Sequence, residues 1–364
     1  TVNPVVLLGR LDREFGIADL PLKWIASYLS GRSVCVRVGK STSTSVPSGS
    51  GVPQGSVLGP ILFTTYISPV GRLITGHGIN FHKYADDTQL YISLQPSISL
   101  SLESLARCTT HLQHWYWSND LLLNPDKSEV AFFGTRQRFH RVNLPTHVTV
   151  AGSSVAVCDT LKTLGVKLDG TLSFDNHVND LVRGCNYHLR ALRHLRSSLT
   201  RDTANTMACS IIGSRIDYCN ALFSGMSGKN FAKLQRVQNN MARVVCNASR
   251  WDTRSATLLQ QLHWLPVRRR VDFKVATLCY KAYRMGQPPY LSSLVHQYVP
   301  SRTLRSSDAE LLQDRRSRTV TVDRRFSTTA PRLWNNLPLH VKTAETISTF
   351  KLHLKTHLFS SPLD

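Results

Sequence analysis

Apolar and polar residues alternate with two different periods along this chain, and the two periods predict different elements. Leu20–Leu29 and Leu100–Asn119 carry apolar residues every three or four positions, which predicts amphipathic helices. Ser33–Val38 alternates with a period of two and predicts a strand. The apolar stretch 61–73 predicts a further helix, and the Ser/Thr-rich stretch 41–50 predicts a hairpin arm.

A strand, a tight turn and a second strand are predicted over Ile79–Leu94. Val130–Gly134 and Leu161–Leu168 predict two more strands. Beyond residue 170 the helical period dominates. The predicted helices there are 174–199, 203–223, 229–245, 267–284 and 347–358, and 300–325 predicts a linker rich in Ser and Arg. The pattern therefore predicts a mixed α+β first part followed by a helical second part.

Charge changes this picture, because the chain carries a formal net charge of +21. Residues 1–150 hold 13 Lys and Arg against 9 Asp and Glu, whereas residues 151–364 hold 31 against 14. A positive field of this size favours a polyanionic partner, either nucleic acid or an anionic membrane surface. A solvated basic surface without a partner is the alternative.

The eight cysteines form no Cys-x-x-Cys pair and do not cluster with histidine at zinc-site spacing. Reduced thiols in a cytoplasmic or nuclear protein are therefore expected. No apolar run reaches the ~18–20 residues that a membrane-spanning helix needs, so no spanning helix is expected. Of the two polyanionic partners, nucleic acid rather than a membrane is expected.

Two adjacent carboxylates, Asp86 and Asp87, fall at the predicted turn within 79–94. A hairpin turn is a rigid mount that can present both side chains to one site. Adjacent carboxylates repel each other unless a cation shares them, and hard divalent cations such as Mg²⁺ prefer oxygen ligands. Asp-Asp at a turn is usually only a solvated surface turn, so the wider sequence context has to decide.

That context resembles the reverse transcriptases of non-LTR retrotransposons. Tyr84-Ala85-Asp86-Asp87 matches their Tyr-x-Asp-Asp box, and Gly51–Pro60 is similar to their preceding Pro-Gln-Gly motif. Leu123–Glu129 resembles their Leu-Asn-x-x-Lys-Ser motif, and Leu164-Gly165-Val166 resembles their primer-grip strand. These four motifs occur in the order and spacing of the family.

The resemblance implies a right-hand polymerase. It predicts an antiparallel palm sheet with packed helices and part of the fingers over residues 1–175. An α-helical, basic thumb-like domain is predicted over 176–290, followed by a basic linker and tail over 291–364. The implied activity is copying RNA into DNA by two-metal phosphoryl transfer, with Mg²⁺ or Mn²⁺ as cofactor. The implied partners are an RNA template, a DNA primer and deoxynucleoside triphosphates. The oligomeric state is left open.

The resemblance also assigns roles to individual residues. Asp86 and Asp87 would hold the metal ions, and Gln54 and Gly55 would contact the incoming nucleotide or the template. Tyr84 would pack beside the primer terminus, with filling of the core beneath the hairpin as its alternative. Lys127 would lie near the triphosphate, with a solvated lysine as its alternative.

Basic residues at helical spacing predict nucleic-acid contacts in the second part, and Gly165 would contact the primer through the grip strand. One face carries Arg183, Arg190, Arg193 and Arg196; a second carries Lys233, Arg236 and Arg243. Solvated helix faces are the alternative for some of them. Trp264 and Trp334 are expected to anchor cores rather than to stack on bases.

Two terminal features complete the resemblance. Leu262–Arg268 and Ala330–Pro338 are similar to the C-terminal region of vertebrate long interspersed elements. The opening Thr1-Val2-Asn3 resembles the end of an earlier family motif, Asp-x-x-x-Ala-Phe-Asp-Thr-Val. We therefore expect the first metal-binding aspartate to precede Thr1 and this chain to be incomplete for catalysis. The alternative function is a non-catalytic nucleic-acid-binding remnant of a retrotransposon.

Overall fold

The computed structural model describes residues 2–94, 97–249, 254–299, 310–314 and 323–360. The chain divides into two compact units. The first unit comprises Thr1–Phe132 and Asn143–Cys158, and the second comprises Phe133–Val142 and Asp159–Asp364.

In its described residues, the first unit combines five α-helices with four antiparallel strand pairs. Its helices are α1 (Pro4–Phe15), α2 (Asp19–Leu29), α3 (Gly59–Tyr66), α4 (Pro69–Gly76) and α5 (Ile98–Trp117). Its strands are β1 (Ser33–Val34), β2 (Arg37–Val38), β3 (Ser41–Thr42), β4 (Val46–Pro47), β5 (Asn80–Tyr84), β6 (Asp87–Tyr91), β7 (His147–Val150) and β8 (Ser153–Ala156). The pairs are β1–β4, β2–β3, β5–β6 and β7–β8.

The core of the first unit forms between α1, α3, α4 and α5, each of which buries an apolar stripe. Tyr66 is fully buried, and its hydroxyl donates to the carbonyl of Asn119 at 2.7 Å. The guanidinium of Arg10 donates to the Tyr66 carbonyl and to Oδ1 of Asn119. Burial lowers the pKa of Arg10 from its usual value. This network ties α1 and α3 to the end of α5 beneath the apolar core.

An exposed arm, residues 31–50, projects from the first unit. It contains β1 to β4, and almost every residue in it is solvent-exposed. Val34, Val36, Val38 and Val46 are each more than half exposed. Because Val34 pairs with Val46 across β1 and β4, these two side chains lie on the same face of the ribbon.

The second unit is mainly helical. Its helices are α6 (Arg136–Arg141), α7 (Asp175–Leu195), α8 (Arg201–Ala208), α9 (Ser214–Asp217), α10 (Gly228–Cys246), α11 (Ser255–Gln261), α12 (Val267–Arg284), α13 (Pro289–Ser292), α14 (Phe326–Asn335), α15 (Leu339–Lys342) and α16 (Ile347–Ser360). The antiparallel pair β9 (Thr160–Thr163) and β10 (Val166–Asp169) precedes α7.

One apolar core joins these helices, with α10 and α12 at its centre. Tyr280 stacks on Phe350 with ring centroids 4.5 Å apart, and Trp334 lies 6.0 Å from Phe350. Both Trp264 and Trp334 are buried, which confirms that they anchor the core.

Several predicted elements differ in the structure. The predicted helix 61–73 is two helices, because Pro69 begins α4 and lacks the N–H that a continuous helix would need. The predicted strand 161–168 is the β9–β10 hairpin, which turns at Leu164 and Gly165. Val130 forms only a single bridge, to Val157. Most of the predicted linker 300–325 lies outside the described residues.

The predicted helix 203–223 is also interrupted. A π-helical segment, Cys209–Gly213, joins α8 to α9, and Asn220–Phe223 forms a 3₁₀ turn. The antiparallel pairing and the helical content confirm a mixed α and β fold. The strands form separate two-stranded ribbons in the described residues rather than one broad sheet. No described helix combines the length and the apolar character needed to cross a lipid bilayer.

Candidate active site and nucleic-acid-binding residues

The Tyr-Ala-Asp-Asp segment forms the tip of the β5–β6 hairpin. Tyr84 ends β5, Asp87 begins β6, and the two residues are paired, so Ala85 and Asp86 form a two-residue turn. Ala85 has a φ of 52°, whereas Asp86 has no positive φ. A positive φ is uncommon for a residue with a Cβ, so the turn holds Ala85 in a strained backbone conformation.

Helix α4 and its neighbours support this hairpin from below. Phe81 of β5 packs so closely on Gly71 that an added Cβ there would lie 2.8 Å from the Phe81 ring. The amine of Lys83 donates to the carbonyl of Ile67 at 2.9 Å. Burial lowers the pKa of Lys83 from its usual value. These contacts fix the inner face of the hairpin and leave its tip free.

Asp86 and Asp87 are both exposed at the tip. No hydrogen bond or ion pair of the described residues engages either side chain. Carboxylate oxygens are the ligands that Mg²⁺ prefers, so the donor chemistry of this turn fits a hard divalent cation. The described residues contain no group of three His, Cys, Asp or Glu side chains that could hold a metal ion.

Tyr84 points away from the core, with 67% of its surface exposed. This exposure contradicts the alternative in which Tyr84 fills the core beneath the hairpin. His82, on the same strand face, stacks on Tyr91 with ring centroids 5.1 Å apart. The outer face of the hairpin therefore presents aromatic side chains next to the two aspartates.

Gln54 and Gly55 lie at the exposed tip of the loop that leads into α3. Gly55 has a φ of 82°, which a residue with a Cβ adopts only with strain. Ser56 organises the base of this loop: its hydroxyl donates to the Pro53 carbonyl at 2.7 Å and accepts from the Gly59 amide at 3.0 Å. The Ser56 side chain thus holds the loop while Gln54 stays exposed.

Lys127 ends a short 3₁₀ helix, Pro125–Lys127, that Asn124 caps through the amide of Asp126 at 3.0 Å. Its side chain is exposed, and no described hydrogen bond or ion pair joins it to Asp86 or Asp87. All the predicted catalytic and substrate-binding residues lie in the first unit, whereas Gly165 and the predicted basic residues lie in the second.

Gly165 is the second turn residue of the β9–β10 hairpin. Leu164 and Gly165 have φ values of 45° and 82°, the pattern of a type I′ turn. Tyr218 covers the turn, since its hydroxyl donates to the Leu164 carbonyl at 2.6 Å. The turn is therefore fixed to the helical part of the second unit.

Asp169 closes the next loop and leads the chain into α7. It accepts hydrogen bonds from the amides of Thr171, Ser173 and Phe174 and from the hydroxyls of Thr171 and Ser173. Burial alone would raise the pKa of Asp169, but these hydrogen bonds hold it below its usual value.

The predicted basic residues occupy three kinds of position. Arg190 and Arg193 are exposed on α7 without a described partner, whereas Arg183 pairs with Asp180 at 3.1 Å. Lys233 donates to Oδ1 of Asn179 at 2.7 Å. Arg196 donates to the carbonyls of Leu199, Val244 and Val245, so its guanidinium caps the end of α10 within the protein.

A cleft of about 1010 Å³ lies between the end of α7, one face of α10 and the residues that follow α10. Arg193, Arg236 and Arg243 line it, together with Asn239 and Asn240. The sequence pattern did not single out the two asparagines. The available signal was the composition of α10, which contains no acidic residue.

Comparison with known proteins gives a family match over the region that contains the β5–β6 hairpin. Residues 8–168 match the family model described as reverse transcriptase (RNA-dependent DNA polymerase). The chain is 26% identical over 289 residues to "Probable RNA-directed DNA polymerase from transposon BS" of Drosophila melanogaster, covering 77% of this chain and 31% of that protein.

It is also 26% identical over 253 residues to "Probable RNA-directed DNA polymerase from transposon X-element", covering 65% of this chain and 26% of that protein. A third relative, "RNA-directed DNA polymerase from mobile element jockey", is 28% identical over 162 residues, which are 43% of this chain and 17% of the relative. Both come from Drosophila melanogaster. The chain thus spans about a third or less of the length of these relatives.

The hairpin and the matched region agree, because the Tyr-Ala-Asp-Asp turn lies inside residues 8–168. Residues 8–168 are therefore similar to the reverse transcriptase family, and the chain is similar to the RNA-directed DNA polymerases named for transposon BS, the X-element and jockey.

Proposed function

We propose that this chain is the palm and thumb part of a reverse transcriptase that copies an RNA template onto a DNA primer. Part of the fingers and the palm would occupy residues 1–175, the helical thumb 176–290, and a basic linker and tail 291–364. One observation carries the proposal: Asp86 and Asp87 are exposed together at a hairpin tip inside the region that matches the polymerase family.

In this proposal, Asp86 and Asp87 hold divalent cations, Mg²⁺ or Mn²⁺, through their carboxylate oxygens. Bound there, the cations supply charge stabilisation for the attacking and leaving oxygens of phosphoryl transfer. Tyr84 packs against the primer terminus from the outer face of the hairpin. Gln54 and Gly55 approach the incoming deoxynucleoside triphosphate or the template. Lys127 approaches the triphosphate.

The hairpin supplies two carboxylates, and we propose that catalysis needs at least one further carboxylate to hold two divalent cations. With two carboxylates alone, too little negative charge would hold two divalent cations against their mutual repulsion. A protein without such a further carboxylate would bind nucleic acid but extend a primer poorly.

Primer extension on an RNA template with Mg²⁺ tests this function. The assay compares this chain with a chain extended upstream by the family motif Asp-x-x-x-Ala-Phe-Asp-Thr-Val, which we call the completed chain. Extension is expected only from the completed chain. Asp86→Asn in that chain should reduce the rate at least ~100-fold, because it removes a metal-binding charge. Asp12→Asn, an exposed carboxylate of α1 in the same unit, is the matched control and should leave the rate unchanged.

Extension that survives Asp86→Asn would contradict the catalytic role of the hairpin. Extension by the shorter chain at the rate of the completed one would contradict the need for an upstream carboxylate. A completed chain that binds nucleic acid without extending a primer would support the alternative function, a non-catalytic nucleic-acid-binding remnant. The net charge of +17 over residues 151–364 favours that alternative if turnover is absent.

We also propose that this chain comes from a retrotransposon of the long interspersed type found in vertebrates. The proposal rests on the resemblance of Leu262–Arg268 and Ala330–Pro338 to the C-terminal region of those elements. A search of genome sequences tests this proposal, because close copies with these two segments should recur in vertebrate genomes. Closer copies in insects would overturn the proposal.

A further inference from the structure

The cleft beside α10 differs from an ordinary basic surface in its chemistry. None of its thirteen lining residues, all of them described, carries a carboxylate, and four are arginines. Arg196 is engaged by backbone carbonyls, which leaves Arg193, Arg236 and Arg243 to face a ligand. The cleft is therefore an uncompensated positive site.

One face of α10 forms a wall of this cleft. Residues 232, 235, 236, 239, 240, 243 and 247 recur every three or four positions, as one helix face requires. The opposite face carries Phe231, Leu234, Val237 and Met241, which are all buried in the core. The helix is thus fixed by its apolar face, so its polar face is held in one orientation.

Hydrogen bonds within the protein make the cleft a built site rather than a loose surface. Gln235 Nε2 donates to Asn239 Oδ1 at 2.8 Å, and Gln235 Oε1 accepts from the Val267 amide at 2.9 Å. Arg196 joins the end of α7 to the end of α10. Two walls of the cleft are therefore fixed relative to each other.

Several polar groups in the cleft have no partner within the described protein. The Nε of Arg243 is buried and makes no hydrogen bond. No described hydrogen bond engages the side chain of Asn240 or the Nδ2 of Asn239. A buried donor without a partner costs free energy, which a bound acceptor would recover.

Amides and arginines lining a concave cleft suit an unpaired nucleotide better than a duplex. Paired bases hide their Watson–Crick edges, and side chains read a duplex by entering its grooves. An unpaired base exposes that edge to amide donors and acceptors, while its phosphates contact arginines. The volume of about 1010 Å³ is at the upper end of the ~300–1,000 Å³ range of small-ligand sites, so the cleft has room for nucleotides.

We propose that this cleft binds an unpaired segment of nucleic acid, with the phosphates on Arg193, Arg236 and Arg243 and the base edges on Asn239 and Asn240. This site rests on the proposed function only in so far as the protein binds nucleic acid. It goes beyond that function because it assigns recognition of a single strand to this cleft, distinct from contact with the primer–template duplex.

Fluorescence anisotropy with the full chain tests the proposal. The probes are an unstructured 12-nucleotide RNA, the DNA of the same sequence, and a duplex of the RNA with its complement. Asn240→Ala should weaken binding of a single strand about 5–10-fold and leave duplex binding unchanged, because it removes an amide without changing charge. Comparison of the RNA and DNA probes identifies which strand the cleft holds.

Arg236→Ala should also weaken single-strand binding and should reduce the salt dependence of log K by roughly 0.7, the value for one phosphate contact on a single strand. Lys229→Ala, an exposed cation on the same helix outside the cleft, is the charge control. Asn205→Ala on α8 is the amide control.

Equal losses of single-strand and duplex binding in Arg236→Ala, with no effect of Asn240→Ala, would overturn the proposal and leave nucleic-acid binding intact. Loss of primer extension in the completed chain, with selective single-strand binding retained, would overturn the polymerase function and support the cleft. Absence of all binding by the unaltered chain would overturn both.

Discussion

Ala85 carries the backbone strain of the Tyr-Ala-Asp-Asp turn. Its φ of 52° is costly for a residue with a Cβ, by roughly 1–2 kcal/mol. The strain is offset by the contacts that fix the hairpin below the tip, at Phe81 and Lys83. The position of Asp86 therefore depends on side chains that do not touch a substrate.

Asp169 controls the entry into α7, and we predict that Asp169→Asn destabilises the protein. The amide keeps the shape but loses charge-assisted acceptance of backbone and hydroxyl donors, which should cost about 1–2 kcal/mol at pH 7. Because the pKa of Asp169 is lower in the folded protein than in the unfolded chain, its stabilisation is fully present above the unfolded value of about 3.9. It is lost as the pH falls through the folded value.

Urea unfolding at pH 7 and at pH 3 measures this difference. The difference in free energy of unfolding between the original protein and the Asp169→Asn variant should be smaller at pH 3 than at pH 7. Asp159→Asn, an exposed carboxylate with no described hydrogen bond, is the matched control. An equal difference in free energy of unfolding at both pH values would show that the charge of the Asp169 carboxylate contributes nothing to stability.

At the scale of elements, the contact between α4 and the β5–β6 hairpin makes a sharp prediction. Gly71→Ala places a Cβ 2.8 Å from the Phe81 ring, so the hairpin must shift or the protein must lose about 1–3 kcal/mol. Gly76→Ala in the same helix meets no atom within 4 Å and should be neutral or stabilising by up to ~1 kcal/mol.

Thermal unfolding of both variants provides the measurement. In the primer-extension assay proposed above, Gly71→Ala in the completed chain should also slow extension, since Asp86 moves with the hairpin. Equal stability of the two variants would mean that the Phe81 ring relaxes without moving β5.

Elements whose apolar residues recur at a clear helical spacing were predictable from the sequence. Helices α5, α10 and α12 lie close to their predicted bounds, because long amphipathic stripes leave few alternatives. The hairpin β9–β10 was predicted as one strand, because its turn places a leucine at a φ of 45°, where glycine or asparagine is usual. Helix α1 and the hairpin β7–β8 were not predicted at all.

The candidate site also includes residues that could be placed from the sequence and residues that could not. Asp86 and Asp87 could be placed at a turn from sequence, because strand periodicity on both sides leaves only the turn between them. The cleft could not be predicted, since Arg193 and Arg236 lie 43 residues apart in the sequence and come to one cleft only through the packing of α7 on α10. The role of Arg196 as a cap likewise depends on where α10 ends.

At the scale of the whole molecule, the uneven charge predicts salt-sensitive binding of nucleic acid. Residues 151–364 carry a net +17, and if 6–10 of these cations contact phosphates, affinity should fall ~10³–10⁵-fold between 50 and 200 mM salt. Filter binding or anisotropy across that range measures the slope. A slope near zero would show that the basic residues only face solvent.

The exposed arm has a consequence for the behaviour of the molecule in solution. Its valines alternate along a short ribbon whose described residues 31–50 include no acidic side chain, and the ribbon edges are unpaired. Such an edge offers free amides and carbonyls to a strand of a neighbouring molecule. The arm also carries Arg32, Arg37 and Lys40, whose mutual repulsion is screened by salt. At high concentration and high salt the chain should therefore self-associate through this arm, and a lysine in place of Val36 would oppose that aggregation.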